Sequence, residues 1–212
     1  MKNRIKFAFV LAVMFIASGC IKYTYNLANV TPELYPAGNC SVAVASQDKR
    51  SYVISGRNKP QLVGVIRGAF GNPLYMTTSS GRPLADEMGG VIIGALKKKG
   101  FKTISVVVAA TEPIEQVRKK LVATGAEKLI YFQIKQWKSD TYSNVRLEYL
   151  INLTVFDTKG KLLAEKESSG DENLGSGGFN IVRGTRKKVP EAFEKKLEEL
   201  FNAPDIIKAL ER

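Results

Sequence analysis

Between Asn144 and Asp157 the chain alternates with a period of two. Val145, Leu147, Tyr149, Ile151, Leu153 and Val155 interleave with Arg146, Glu148, Asn152 and Thr154. That period sends every second side chain to the same face, which predicts a long strand with one face on a core. Thr158-Lys159-Gly160-Lys161 then reads as a hairpin turn into a strand over Leu162–Ser168, antiparallel to the first. The apolar face of this ribbon needs a cover, and the helical segments of the chain supply one.

Further strands are predicted at Ser41–Ala45, Tyr52–Ser55, Gln61–Arg67 and Leu129–Trp137. Thr103–Ala110 is an unbroken apolar run, as expected of a strand covered on both faces. Phe70–Ser80, containing Gly71-Asn72-Pro73, reads as a loop. Leu84, Met88, Val91, Ala95 and Leu96 recur at helical spacing within a helix from Pro83 to Lys99, which Gly100 stops. A second helix starts at a Thr111 cap with Glu112 and Pro113 in its first turn. It carries Ile114, Val117 and Leu121 on one face and ends at Gly125. A third runs from Pro190 to Asn202 with Phe193, Leu197, Leu200 and Phe201 in a stripe, and a short one follows from Asp205. Ser169–Arg186 is Gly-rich and polar, and reads as a long loop with a short strand at Phe179–Val182. The expected fold is one α/β (α+β) domain, a mixed, largely antiparallel sheet packed by three to four helices.

The N-terminus places this domain. Lys2, Arg4 and Lys6 precede eleven apolar residues, Phe7 to Ala17, and Ala17-Ser18-Gly19-Cys20 closes the run. A positive front, a greasy middle and small residues at the end make a secretory signal peptide. The cysteine directly after them predicts cleavage between Gly19 and Cys20 and lipid attachment at Cys20. A transmembrane anchor is the competing reading, but eleven residues at about 1.5 Å each cover only about half of a ~30 Å hydrocarbon core. An ordinary secretory signal with an incidental cysteine is the other alternative. Ile21 and Lys22 include no aspartate, which by the sorting rule of diderm bacteria favours the outer membrane, facing the periplasm. The division is then residues 1–19 as signal peptide, 20–39 as lipidated N-terminus and tether, and 40–212 as the domain. Tyr23 and Tyr25 would meet the membrane interface or, as is more ordinary, pack on the domain.

With Cys20 acylated, Cys40 has no partner for a disulfide, and no histidine exists to activate its thiol. The missing histidine also excludes Ser-His-Asp catalysis and the commonest zinc ligand. No cofactor, metal or catalytic residue is expected. Removing the three cations of the leader takes the net charge from +12 to +9, a balance suited to an anionic membrane face or an acidic partner. Nucleic acid is the other usual partner of a basic chain, and export removes it. Arg183, Arg186, Lys187 and Lys188 beside Gly175, Gly177, Gly178 and Gly184 form the candidate partner-binding loop. Gly184 is followed by Thr185-Arg186 and not by Lys-Ser/Thr, so the segment lacks a phosphate-loop ending. A plain solvated loop is the alternative. Asp86-Glu87 and Asp171-Glu172 are adjacent carboxylates, yet neighbours in a helix or strand point apart where glycan hydrolysis needs them face to face. Trp137, with Tyr131 and Tyr142, forms either an exposed patch or part of the core.

Asp48-Lys49-Arg50 ending a strand, Lys99-Gly100-Phe101 closing a helix, the long strand Val145–Phe156, and Asn202-Ala203-Pro204-Asp205-Ile206-Ile207 before Leu210 resemble the YajG-like family of outer-membrane lipoproteins. The resemblance covers most of residues 40–210. It implies a periplasm-facing envelope lipoprotein with an interaction role and brings no catalytic residue with it. The chain departs from that pattern in its basic charge and its Gly-rich stretch. In layout it is more loosely similar to small lipoproteins that activate peptidoglycan synthases or assist transporters.

Overall fold

Eight strands and five helices follow one another in a computed structural model that describes residues 23–68, 70–178 and 180–211. They are β1 (Tyr23–Tyr25), β2 (Ser41–Asp48), α1 (Ser51–Ile54), β3 (Leu62–Arg67), β4 (Pro73–Thr78), α2 (Leu84–Lys98) and β5 (Lys102–Val106). Then come α3 (Ile114–Val122), β6 (Lys128–Thr141), β7 (Asn144–Phe156), β8 (Leu162–Ser176), α4 (Ile181–Phe201) and α5 (Pro204–Glu211). The predicted signal peptide, residues 1–19, and the predicted lipid-attachment residue Cys20 lie outside the described residues.

The ribbon predicted from the alternation is the spine of the sheet. β6 pairs antiparallel with β7 from Leu129↔Phe156 to Thr141↔Val145, and β7 with β8. The other edge of β6 is shared by two strands in succession, both parallel to it. β2 takes the first half (Val42↔Lys128 to Asp48↔Ile134), and β3 takes the end (Gly64↔Ser139 to Ile66↔Thr141). β5 flanks β2, while β4 and then β1 flank β3. The sheet is mixed, with its longest ladders antiparallel, and the fold is a single α+β domain.

α2, α4 and α5 cover one face. Met88, Ile92 and Leu96 meet Val44, Ile130 and Phe132, while Phe193, Leu197 and Phe201 join Trp137, Leu147 and Ile151 in the same core. α3 covers a corner of the opposite face, where Val117 and Leu121 bury Ala43, Ala45, Leu129 and Tyr131. The remainder of that face is polar, as the outward parity of Arg146 and Glu148 requires. Gly100 and Gly125 take left-handed backbone just past the ends of α2 and α3, at the predicted stops.

Several expectations are corrected. Residues 23–39 are no free tether, because β1 pairs with β4 and Tyr25, Leu27 and Leu34 are buried. Tyr52–Ser55 is not a strand, since Ser51–Ile54 make one helical turn that turns the chain from β2 toward β3. The predicted loop 70–80 contains β4, where Pro73 opens the strand and so withholds no interior ladder donor. Thr103–Ala110 yields only β5, which has a single neighbour and stays half-exposed. Pro83 and Pro113 stand at the caps just before their helices and not in the first turns, so Thr111 and Glu112 precede α3 and Thr111 does not cap it. The stretch 169–186 is not a loop. β8 continues to Ser176, and α4 begins at Ile181, so Val182 is helical and Pro190 lies inside the helix.

Candidate functional site

One end of the sheet gathers five exposed cations, Arg67, Arg146, Arg183, Arg186 and Lys187. Register brings Ile66 to Thr141, Arg67 to Pro73, and Asn144 to Ser176. The β3–β4 turn, the β6–β7 turn at 142–143 and the start of α4 therefore crowd together. The Gly177 amide donates to the Ser143 carbonyl at 3.2 Å, and the Asn180 side chain accepts from the Arg183 amide at 2.9 Å, capping α4. β1 also starts at this end, since it runs parallel to β4.

Arg67 clamps Asp140 with two donors, Nε to Oδ1 at 2.8 Å and Nη2 to Oδ2 at 2.5 Å. Arg146 holds Asp171 in the same forked way, with Nε to Oδ1 at 2.5 Å. The Arg67 side-chain hydrogen bond keeps Asp140 below the usual carboxylate range, and Arg146 does the same for Asp171. These pairs line an open cleft with Tyr142, Asn144 and Glu148.

The four residues singled out from the sequence sit at this end, on a helix rather than a loop. Arg183, Arg186 and Lys187 are exposed and, at i, i+3 and i+4, share one face of α4. Lys187 lies 3.8 Å from Glu191. Lys188 differs, because its Nζ donates to the Leu174 carbonyl at 2.5 Å and ties α4 to β8. Arg67 and Arg146 were not selected from the sequence. The alternation of β7 already turned Arg146 outward, but nothing local marks a position 40 to 120 residues away as a neighbour. Exposed aromatics complete the end, Phe70 at 99% in the β3–β4 turn and Tyr142 at 57% in the β6–β7 turn. Trp137 and Tyr131 are fully buried, so of that trio only Tyr142 reaches solvent.

The adjacent carboxylates are taken up by cations on opposite sides of β8. Asp171 faces Arg146, while Glu172 meets Lys196 Nζ at 2.9 Å and accepts from the Tyr149 hydroxyl at 2.7 Å. Lys196 also pairs with Glu199 at 2.9 Å. Burial works against its charge, and the two carboxylates outweigh it, so the ammonium is held above its ordinary value. Glu87 is buried and accepts from Ser80. Cys40 is partly buried, and that burial together with Glu127 pushes its thiol up. Among the described residues no three His, Cys, Asp or Glu side chains are grouped to hold a metal, and no helix is long and apolar enough to cross a membrane.

No known family model matches the chain, and no curated protein matches it. Solved structures do resemble it. A Xanthomonas campestris protein of family DUF330 aligns with TM-score 0.48 and 11% identity, over 82% of this chain and 92% of that one. The PelC dodecamer subunit from Paraburkholderia phytofirmans aligns with TM-score 0.42 and 12% identity, over 85% and 91%. Lipoprotein GNA1162 from Neisseria meningitidis aligns with TM-score 0.29 and 12% identity, over 76% and 99%. At these values each is a likeness of fold alone.

Proposed function

We propose that this chain is a lipid-anchored, non-enzymatic envelope protein that faces the periplasm and binds an anionic envelope component through the basic end of its sheet. One observation carries the reading. Cys20, in its lipoprotein-type setting, stands only three residues before Tyr23, which is already paired in the sheet at that end. Ile21 and Lys22, without aspartate, support the outer membrane as the site of anchoring. The ion pairs that take up Asp171 and Glu172 on opposite sides of β8 speak against the rival reading, glycan hydrolysis. A second reading, an auxiliary subunit of a transporter or peptidoglycan synthase, draws on β5. It is an edge strand followed at once by Val107, 85% exposed, and such an edge is open to strand addition.

Intact-mass analysis of protein extracted from membranes tests the anchor. The expected species begins at Cys20 and carries acyl chains, and an unprocessed or unmodified N-terminus would refute the proposal. In-cell crosslinking of native and Cys20→Ala forms then separates the two readings. Stable recovery of one transport or synthase subunit, dependent on Cys20, favours the auxiliary role.

A further inference from the structure

We infer that the basic, aromatic end of the sheet is a docking surface for anionic phospholipid, so that the domain lies end-on against the membrane holding its anchor. The inference rests on the acylation of Cys20 proposed above.

The leash is the first argument. Tyr23 follows Cys20 by three residue steps, and an extended chain covers at most about 3.6 Å per residue, so the reach is no more than roughly 11 Å. Tyr23 pairs with Met76, and β4 uses the same number of residues to run back from Met76 to Pro73 at the sheet's end. Acyl chains on Cys20 must sit in hydrocarbon, beneath a headgroup layer of about 5 Å or more on each side. Little length is left to lift the domain clear, so the surface around the start of β1 must touch headgroups.

The chemistry of that surface is the second argument. From Gly177 to Pro190 the chain holds four cations and no acid. Three of them, Arg183, Arg186 and Lys187, are exposed on one face of α4 with Glu191 3.8 Å from Lys187, and Arg67 and Arg146 pair with Asp140 and Asp171. The end is therefore net positive, as an anionic leaflet requires. Phe70 and Tyr142 project from the two turns beside it, and aromatic side chains favour the headgroup level. An acidic protein surface would accept the same cations, but it would account for neither the short leash nor the exposed Phe70.

The test uses the acylated protein reconstituted in vesicles whose phospholipids carry bromine near the headgroup end of their acyl chains. Trp137 is the only tryptophan and is buried, so wild type provides the unquenched reference. Phe70→Trp adds a probe at the docking end. Tyr35→Trp adds one beside the C-terminal cap of α4, where the Tyr35 amide donates to Asn202, about 30 Å along the helix from its start. Bromine is expected to quench the first probe at least twofold and to leave the second unchanged. The effect should need phosphatidylglycerol in the vesicles and fall several-fold in Arg183→Gln/Arg186→Gln/Lys187→Gln. Absence of an acyl adduct by mass would refute the anchor itself. With the adduct present, equal or absent quenching of the two probes would overturn the docking, as would quenching indifferent to phosphatidylglycerol. Crosslinking from position 183 to a single envelope protein in place of lipid would also overturn it.

Discussion

Arg50 ties three strands together from inside the protein. Its guanidinium is fully buried and forks onto Asp48, with Nε to Oδ1 at 2.8 Å and Nη2 to Oδ2 at 2.6 Å. The remaining donors reach the carbonyls of Leu62 at 2.5 Å and Pro60 at 3.1 Å, while Tyr52, stacked below at 5.1 Å, donates to the Trp137 carbonyl. The end of β2, the start of β3 and the middle of β6 are thereby fixed against one another. Arg50→Ala leaves Asp48 buried without its partner, and the expected loss is about 3–5 kcal/mol, read as a lower urea midpoint. Arg50→Lys should recover little of it, since an ammonium cannot reproduce the planar fork. Asp48-Lys49-Arg50 stood out in the sequence only as the end of a strand. Its burial was not legible there, because charged residues are normally exposed and the carbonyls that satisfy Arg50, those of Pro60, Leu62 and Trp137, lie in two segments later in the chain.

A single extra residue in β6 decides where the lone tryptophan goes. Ile130, Phe132 and Ile134 point into the main core, and unbroken alternation would send Trp137 to the opposite face with Leu129 and Tyr131. The ladder slips between Ile134↔Ile151 and Gln136↔Leu150, so Lys135 is left over and Trp137 returns to the core. There it packs edge-on to Phe193 at 5.6 Å and beside Tyr149 at 6.3 Å. Deleting Lys135 should remove the bulge and leave Trp137 on the core face, since Ile134, Gln136 and Trp137 then alternate without interruption opposite Ile151, Leu150 and Tyr149. The expected result is an unchanged blue tryptophan emission. A red-shifted emission, with Trp137 turned to solvent, would refute the role of the bulge. α4 shows the same limit of local reading. Pro190 looks like a helix start because its fixed φ suits a first turn, yet α4 runs through it, capped by Asn180 and held by buried Val189, Phe193 and Leu197.

Across the whole molecule, stability should depend on pH in one direction. Asp140, Asp171, Asp157, Glu112 and Glu172 are all held below the usual carboxylate range, chiefly by hydrogen bonds from Arg67, Arg146, the Lys161 amide, Lys120 and Lys196 respectively. A depressed carboxylate contributes stability above its unfolded value, near 4, and that contribution is lost as pH falls through the folded one. With no histidine in the chain, few groups titrate between about pH 5 and 8. Thermal melts should therefore give a nearly constant midpoint over that range and a falling one below about pH 4. The drop should be smaller in high salt because several of these pairs are exposed. The basic, apolar and small-residue order of residues 2–20, the β7–β8 ribbon and the apolar stripes of α2, α3 and α5 were legible in the sequence alone, since each is a period or an order of residues within a short window. The sharing of β6 by β2 and β3, the return of Trp137 to the core and the meeting of Arg67, Arg146 and the cations of α4 came only with the tertiary structure. Those arrangements depend on pairings between residues far apart in the chain, and no local pattern of charge or hydrophobicity encodes which distant edge a strand will take.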